Sequence, residues 1–171
     1  MPSTMHAPST TGPSEWRAEM LALTEGMTRS GSARIDMQTG EVVATEGLYG
    51  LLQWPAPQRG HHAWRLLRGV PREEHRHVVS IWGSAIEDDP FEFRHRLVRA
   101  DGQRREVLQH GVVRRDACGR LYGYLSLQDV TEQYLSGLRI QELASTDPVT
   151  GLPNRRQLLA HIEAAIDGVA W

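Results

Sequence analysis

The chain has 171 residues, of which 40% are hydrophobic and 23% charged, and a formal net charge of −2. That length holds one domain of ordinary size with appendages. No apolar run approaches the ~18 residues of a membrane span, and a near-balanced charge argues against a general electrostatic grip on nucleic acid. A single cysteine, Cys118, excludes an intrachain disulfide and a cysteine-based zinc site and fits a reducing cytoplasm, while the absence of lysine excludes Schiff-base and Walker-type lysine chemistry.

Residues 1–13 are rich in Pro, Ser and Thr without periodicity and read as a disordered leader. Ser14 suits an N-cap for a helix over 14–29, with Trp16, Met20, Leu23 and Met27 on one stripe. Short strands are expected at Ala33–Met37 and Glu41–Thr45, around a Gln38-Thr39-Gly40 turn. Two short helices, Glu46–Trp54 and His62–Val70, follow, separated by Pro55 and Pro57. Pro71 then opens a longer helix in which His75, Val78, Val79, Trp82, Ala85 and Ile86 recur at helical spacing.

The period changes to two at Phe91. Phe91, Phe93, His95 and Leu97 alternate with Glu92, Arg94, Arg96 and Val98. Asp101-Gly102 accepts the positive φ of a tight turn, and strands over 104–115 and 121–128 complete an antiparallel meander. A helix is expected from about Thr131 to Ala144, and a loop and further helix from Asp147 to Trp171. Two strands alone are marginal, so the early pair and the late meander are expected to share one sheet. The element order predicts an α+β fold: a five-stranded antiparallel sheet with short helices on one face, an N-terminal helix and a C-terminal helix.

That order, with Asp36-Met37-Gln38-Thr39-Gly40 after the first strand, Arg99-Ala100-Asp101-Gly102 between later strands and Asp129-Val130-Thr131 at the exit, resembles a PAS domain over 30–131. The segment Leu143-Ala-Ser-Thr-Asp147-Pro-Val-Thr150-Gly151-Leu152-Pro-Asn154-Arg155-Arg156 resembles the opening of a GGDEF domain, the catalytic module of bacterial diguanylate cyclases, with Val149 in place of the usual Leu. The second resemblance implies a signalling helix over 132–146 and the start of a GGDEF domain over 147–171, in a piece of a longer protein. The sequence has no Gly-Gly pair, so the catalytic turn of that module lies outside it and the chain is not expected to be an enzyme itself.

Strand alternation places His95 on the face of Phe93 and Leu97. A polar ring on an apolar wall needs a partner, from the protein or from a small ligand. His95, Phe93, Leu97, Trp82 and Trp64 are the candidate pocket residues; the tryptophans also serve as ordinary core. The resemblance offers haem on His75 as an alternative, since His75 sits on the longer helix and His77 on another side. Cys118, in a turn, lacks the Asn-Cys-Arg setting of light-sensing flavin domains. The Arg-rich strands, with acids interspersed, read as a solvated face. Asp129 and Thr131 join the last strand to the outgoing helix, where a short acceptor and a hydroxyl suit a helix start and a coupling role. Gly137 weakens that helix. The resemblance implies a cytoplasmic, homodimeric sensory module that regulates cyclic di-GMP synthesis through its C-terminal helix. The alternatives are a domain that only dimerises and a haem-binding gas or redox sensor.

Overall fold

The structure is a computed structural model that describes residues 13–55 and 61–145. The leader up to residue 12 and the GGDEF-like residues Asp147, Thr150, Gly151, Leu152, Asn154 and Arg155 lie outside the described residues.

The chain runs α1 (Pro13–Thr28), β1 (Ser30–Asp36), β2 (Glu41–Ala44), α2 (Glu46–Leu52), β3 (His61–His62), α3 (Ala63–Arg68), a 3-10 turn at Arg72–Glu74, α4 (His75–Gly83), β4 (Phe91–Val98), β5 (Arg104–Arg115), β6 (Leu121–Asp129) and α5 (Thr131–Ser145). The sheet order is β3-β2-β1-β6-β5-β4, with every neighbouring pair antiparallel. The strands from the two ends of the domain do pair: β1 lies along β6 from Ser30↔Gln128 to Asp36↔Tyr122. Five strands were expected and six are found. The extra one, His61–His62, pairs with Glu41 and Val42 and is too short to show any alternation in sequence.

Alternation decides which side of the sheet is covered. Ala33, Val42, Leu97, Val107, Leu125 and Leu127 are buried on one face, and Leu48, Leu51 and Leu52 of α2 close over them. Arg34, His110 and Tyr124 occupy the open face. Helix α2 is capped by Thr45, whose side chain accepts from the Leu48 amide at 3.4 Å. It lies so close to β1 that a β-carbon at Gly31 would stand 2.1 Å from the Leu48 nitrogen.

Helix α1 departs from expectation. Ser14 lies inside its first turn rather than at the cap, because the helix already begins at Pro13, a residue suited to a first turn. Trp16, Met20, Leu23 and Met27, the apolar stripe, are all exposed. The buried residue of α1 is Glu25, whose Oε1 accepts from the Thr45 hydroxyl at 2.9 Å. Helix α4 also stops earlier than its apolar spacing suggests, at Gly83, which leaves Ala85 and Ile86 outside it and Ile86 exposed.

The chain divides into two compact units after Asp129. In the second, α5 runs from Thr131 to Ser145, with the Tyr134 amide donating to the Val130 carbonyl at 2.9 Å and Leu135, Leu138 and Ile140 exposed.

Candidate functional site

The covered face of the sheet holds a half-open cavity of about 380 Å³. Its floor comes from β1, β4, β5 and β6 through Ile35, His95, Leu97, Gln109, Leu125 and Leu127. Its walls come from α3 through Trp64, Leu66 and Leu67 and from α4 through Val78, Val79 and Trp82. These helices are short because Pro55 and Pro71 interrupt the region between β2 and β4, and their brevity leaves the sheet incompletely roofed.

Two polar side chains interrupt the apolar lining. His95 and Gln109 are both buried, on adjacent strands. The register sets Phe93 opposite Gln109 and His95 opposite Val107, so His95 and Gln109 meet diagonally on one face. His95 Nε2 stands 2.9 Å from Gln109 Oε1, and His95 Nδ1 stands 3.0 Å from the Arg96 carbonyl. The ring stacks on Phe93 with centroids 5.4 Å apart, and Phe93 stacks in turn on Phe91 at 6.3 Å.

Of the expected pocket residues, His95, Leu97, Trp82 and Trp64 line the cavity. Phe93 does not; it is buried in a neighbouring cluster with Val70 and Val78, beyond the stacked His95 ring. Trp82 meets Phe91 edge-on at 5.0 Å. Sequence reasoning missed Gln109. Its alternation within β5 was readable, but nothing in sequence fixed which β4 residue it would face. His75, the ligand considered for haem, does not line the cavity: its Nε2 lies 2.8 Å from the Val70 carbonyl, so the ring closes the turn into α4. Cys118 is exposed in the β5–β6 turn. Among the described residues no three His, Cys, Asp or Glu side chains converge to hold a metal ion.

The cavity is braced by Glu74, which joins the roof to β4. Its Oε2 accepts from the Arg96 amide at 2.8 Å, and its Oε1 takes a second bond from the Arg96 guanidinium. Burial, the largest single influence on Glu74, would raise its pKa. The two bonds from Arg96 and its positive charge outweigh it and hold the carboxyl below its ordinary 4.5. Not all of the Arg-rich strand surface is a plain solvated face, since Arg96 and Arg99 are committed to internal ion pairs.

A second constellation lies at the end of β6. Oδ2 of Asp129 is 3.2 Å from Arg99 Nη2 and 3.7 Å from Arg105 Nε, and the Asp129 amide donates to the Arg29 carbonyl at 3.0 Å. Arg99 follows β4 and Arg105 is the second residue of β5. Asp129 thus gathers the end of α1, both ends of the β4–β5 turn and the exit of β6, a partner set that its exit motif did not reveal. Thr131 is the first residue of α5.

No family model matches the chain, and no curated protein matches it. Solved structures do. The N-terminal domain of a diguanylate cyclase with PAS/PAC sensor from Marinobacter aquaeolei is similar at 18% identity, with a TM-score of 0.54, over 61% of this chain and 98% of that one. A sensory box histidine kinase/response regulator from Burkholderia thailandensis matches at 15% identity and a TM-score of 0.52, over 71% and 93% of the two chains. A PAS domain from Colwellia psychrerythraea matches at 19% identity and a TM-score of 0.52, over 67% and 97%. At such identities the likeness is one of fold: the sheet and its covering helices form a PAS fold.

Proposed function

We propose that the domain is a sensory module whose cavity takes a small molecule and whose state is passed through β6 and Asp129 into α5, toward a GGDEF output domain that begins at Asp147. The observation that carries this reading is one strand with two duties. Leu125 and Leu127 of β6 floor the cavity, and Asp129, two residues on, holds the ion cluster at the boundary with α5. A ligand that presses on the floor therefore acts on the strand that ends at the switch position. The Asp-Pro-Val-Thr-Gly-Leu-Pro-Asn-Arg segment supports a cyclic di-GMP output, and a homodimer of the exposed α1 or α5 faces would bring two output domains together. His75, tied in its turn, and the lack of a charged side chain in the lining among the described residues favour a small organic ligand over haem.

The test has two arms. Native mass spectrometry of the purified chain is expected to show a retained small molecule or saturable uptake of added apolar compounds, and Leu67→Trp, which fills the cavity from α3, is expected to abolish it. In the longer protein that carries a complete output domain, Asp129→Asn is expected to change the rate of cyclic di-GMP synthesis at least severalfold. Uptake unaffected by Leu67→Trp would remove the cavity from the account, and an unchanged synthesis rate would remove the coupling.

A further inference from the structure

The chemistry of the cavity narrows what it takes, granted the reading above that it takes a small molecule at all. Among the described residues no charged side chain lines it; its polar lining there is His95 and Gln109, with the indoles of Trp64 and Trp82. An ionised ligand would lie there without a counter-charge, at a cost of several kcal/mol, so the ligand is neutral.

The hydrogen bonds of His95 then fix the polarity of its head group. Nδ1 faces the Arg96 carbonyl at 3.0 Å. A backbone carbonyl only accepts, so Nδ1 carries the hydrogen. A neutral imidazole has one N–H, so Nε2 is left with its lone pair and needs a donor. The group beside Nε2 is the Gln109 amide, at 2.9 Å. Its oxygen and nitrogen exchange places by a half-turn of the terminal torsion with almost no change of shape. The bare Nε2 selects the orientation with the NH2 toward the ring. The alternative, an imidazolium serving two acceptors, places a charge beside an apolar cavity, while Glu74, the carboxylate that joins the roof to β4, is already held by Arg96.

With its NH2 on His95, Gln109 has its carbonyl oxygen left. Among the described residues the only hydrogen bond of the Gln109 side chain is the one to His95, and Gln109, 4% exposed, lines the cavity. No Gln109 atom is among the fully buried side-chain atoms left without a partner, so this oxygen faces the cavity itself, where a ligand donor reaches it directly. We propose that the cavity selects neutral, mainly apolar molecules that carry one O–H or N–H donor, received by the Gln109 carbonyl oxygen in an orientation set by His95. His95 acts here as a positioning residue, since it works through Gln109.

Three bicyclic isosteres test this on the intact chain by calorimetry: indole, which offers an N–H; benzofuran, which offers only an acceptor; and indene, which offers neither. Indole is expected to bind at least tenfold more tightly than indene, with benzofuran no better than indene. Gln109→Leu is expected to erase the indole preference while indene binding persists. Should that variant fail to fold, nitrogen NMR of the wild-type His95 ring decides the same point, with a protonated Nδ1 and a bare Nε2 expected. Equal binding of all three, a preference for benzofuran, or a doubly protonated ring at neutral pH would overturn the assignment while leaving the cavity as a ligand site. Failure of all three to bind at millimolar concentration would instead remove the ligand-site reading itself, and this assignment with it.

Discussion

Asp129→Asn isolates the cluster that ends the sheet. The substitution keeps shape and one carbonyl oxygen but removes the charge that faces Arg99 and Arg105. Side-chain exposure is 8% for Asp129, 15% for Arg99 and 28% for Arg105. The Nε atoms of both arginines are buried and make no hydrogen bond among the described residues, so water reaches the guanidinium groups only in part. Breaking a fully buried pair costs about 3–5 kcal/mol. Partial access to the arginines lowers the expectation here to about 2 kcal/mol. In urea unfolding at neutral pH, with a slope near 1–1.5 kcal/mol/M, the midpoint is expected to fall by roughly 1.5 M with the slope unchanged. A double-mutant cycle with Arg99→Met is expected to give a coupling of about 1 kcal/mol or more, because Arg99 makes the shorter of the two contacts. A loss below about 0.5 kcal/mol, or strict additivity with Arg99→Met, would refute the claim that this carboxylate organises the strand ends.

Glu74 gives a pH dependence of definite sign. Its carboxyl is held below 4.5 in the folded protein, so its contribution is complete above that value and is lost as pH falls through the lower folded value; Glu74→Gln is expected to flatten the acid limb of a stability-against-pH curve below pH 5. Gly111→Ala places a β-carbon 2.4 Å from the Phe91 ring and is expected to cost about 1–3 kcal/mol in thermal or urea unfolding, partly recovered by Phe91→Leu, which shortens the obstructing side chain. His75→Ala removes the closure onto Val70 and is expected to cost about 1 kcal/mol in the same assays while leaving indole binding intact, since His75 does not line the cavity; loss of binding would return it to the site.

Local pattern determined the strands, the tight turns and the face that each residue takes, because alternation and turn chemistry are properties of neighbours in sequence. His95 was legible as a polar ring on an apolar face, and Gly102, with φ +82°, closes the turn that Asp101-Gly102 announces. What the pattern does not contain is register between strands. Only the pairing of β4 with β5 brings Gln109 diagonally beside His95, and with it the polarity of the cavity. Likewise Asp129 is remote in sequence from Arg99 and Arg105 and meets them because β4, β5 and β6 lie side by side. The two-residue strand at His61–His62 is too short to carry any period, and it exists because β2 offers it an edge. The early end of α4 at Gly83 and the exposure of the α1 stripe show the same limit: apolar spacing says that a face is available, and packing decides whether anything covers it.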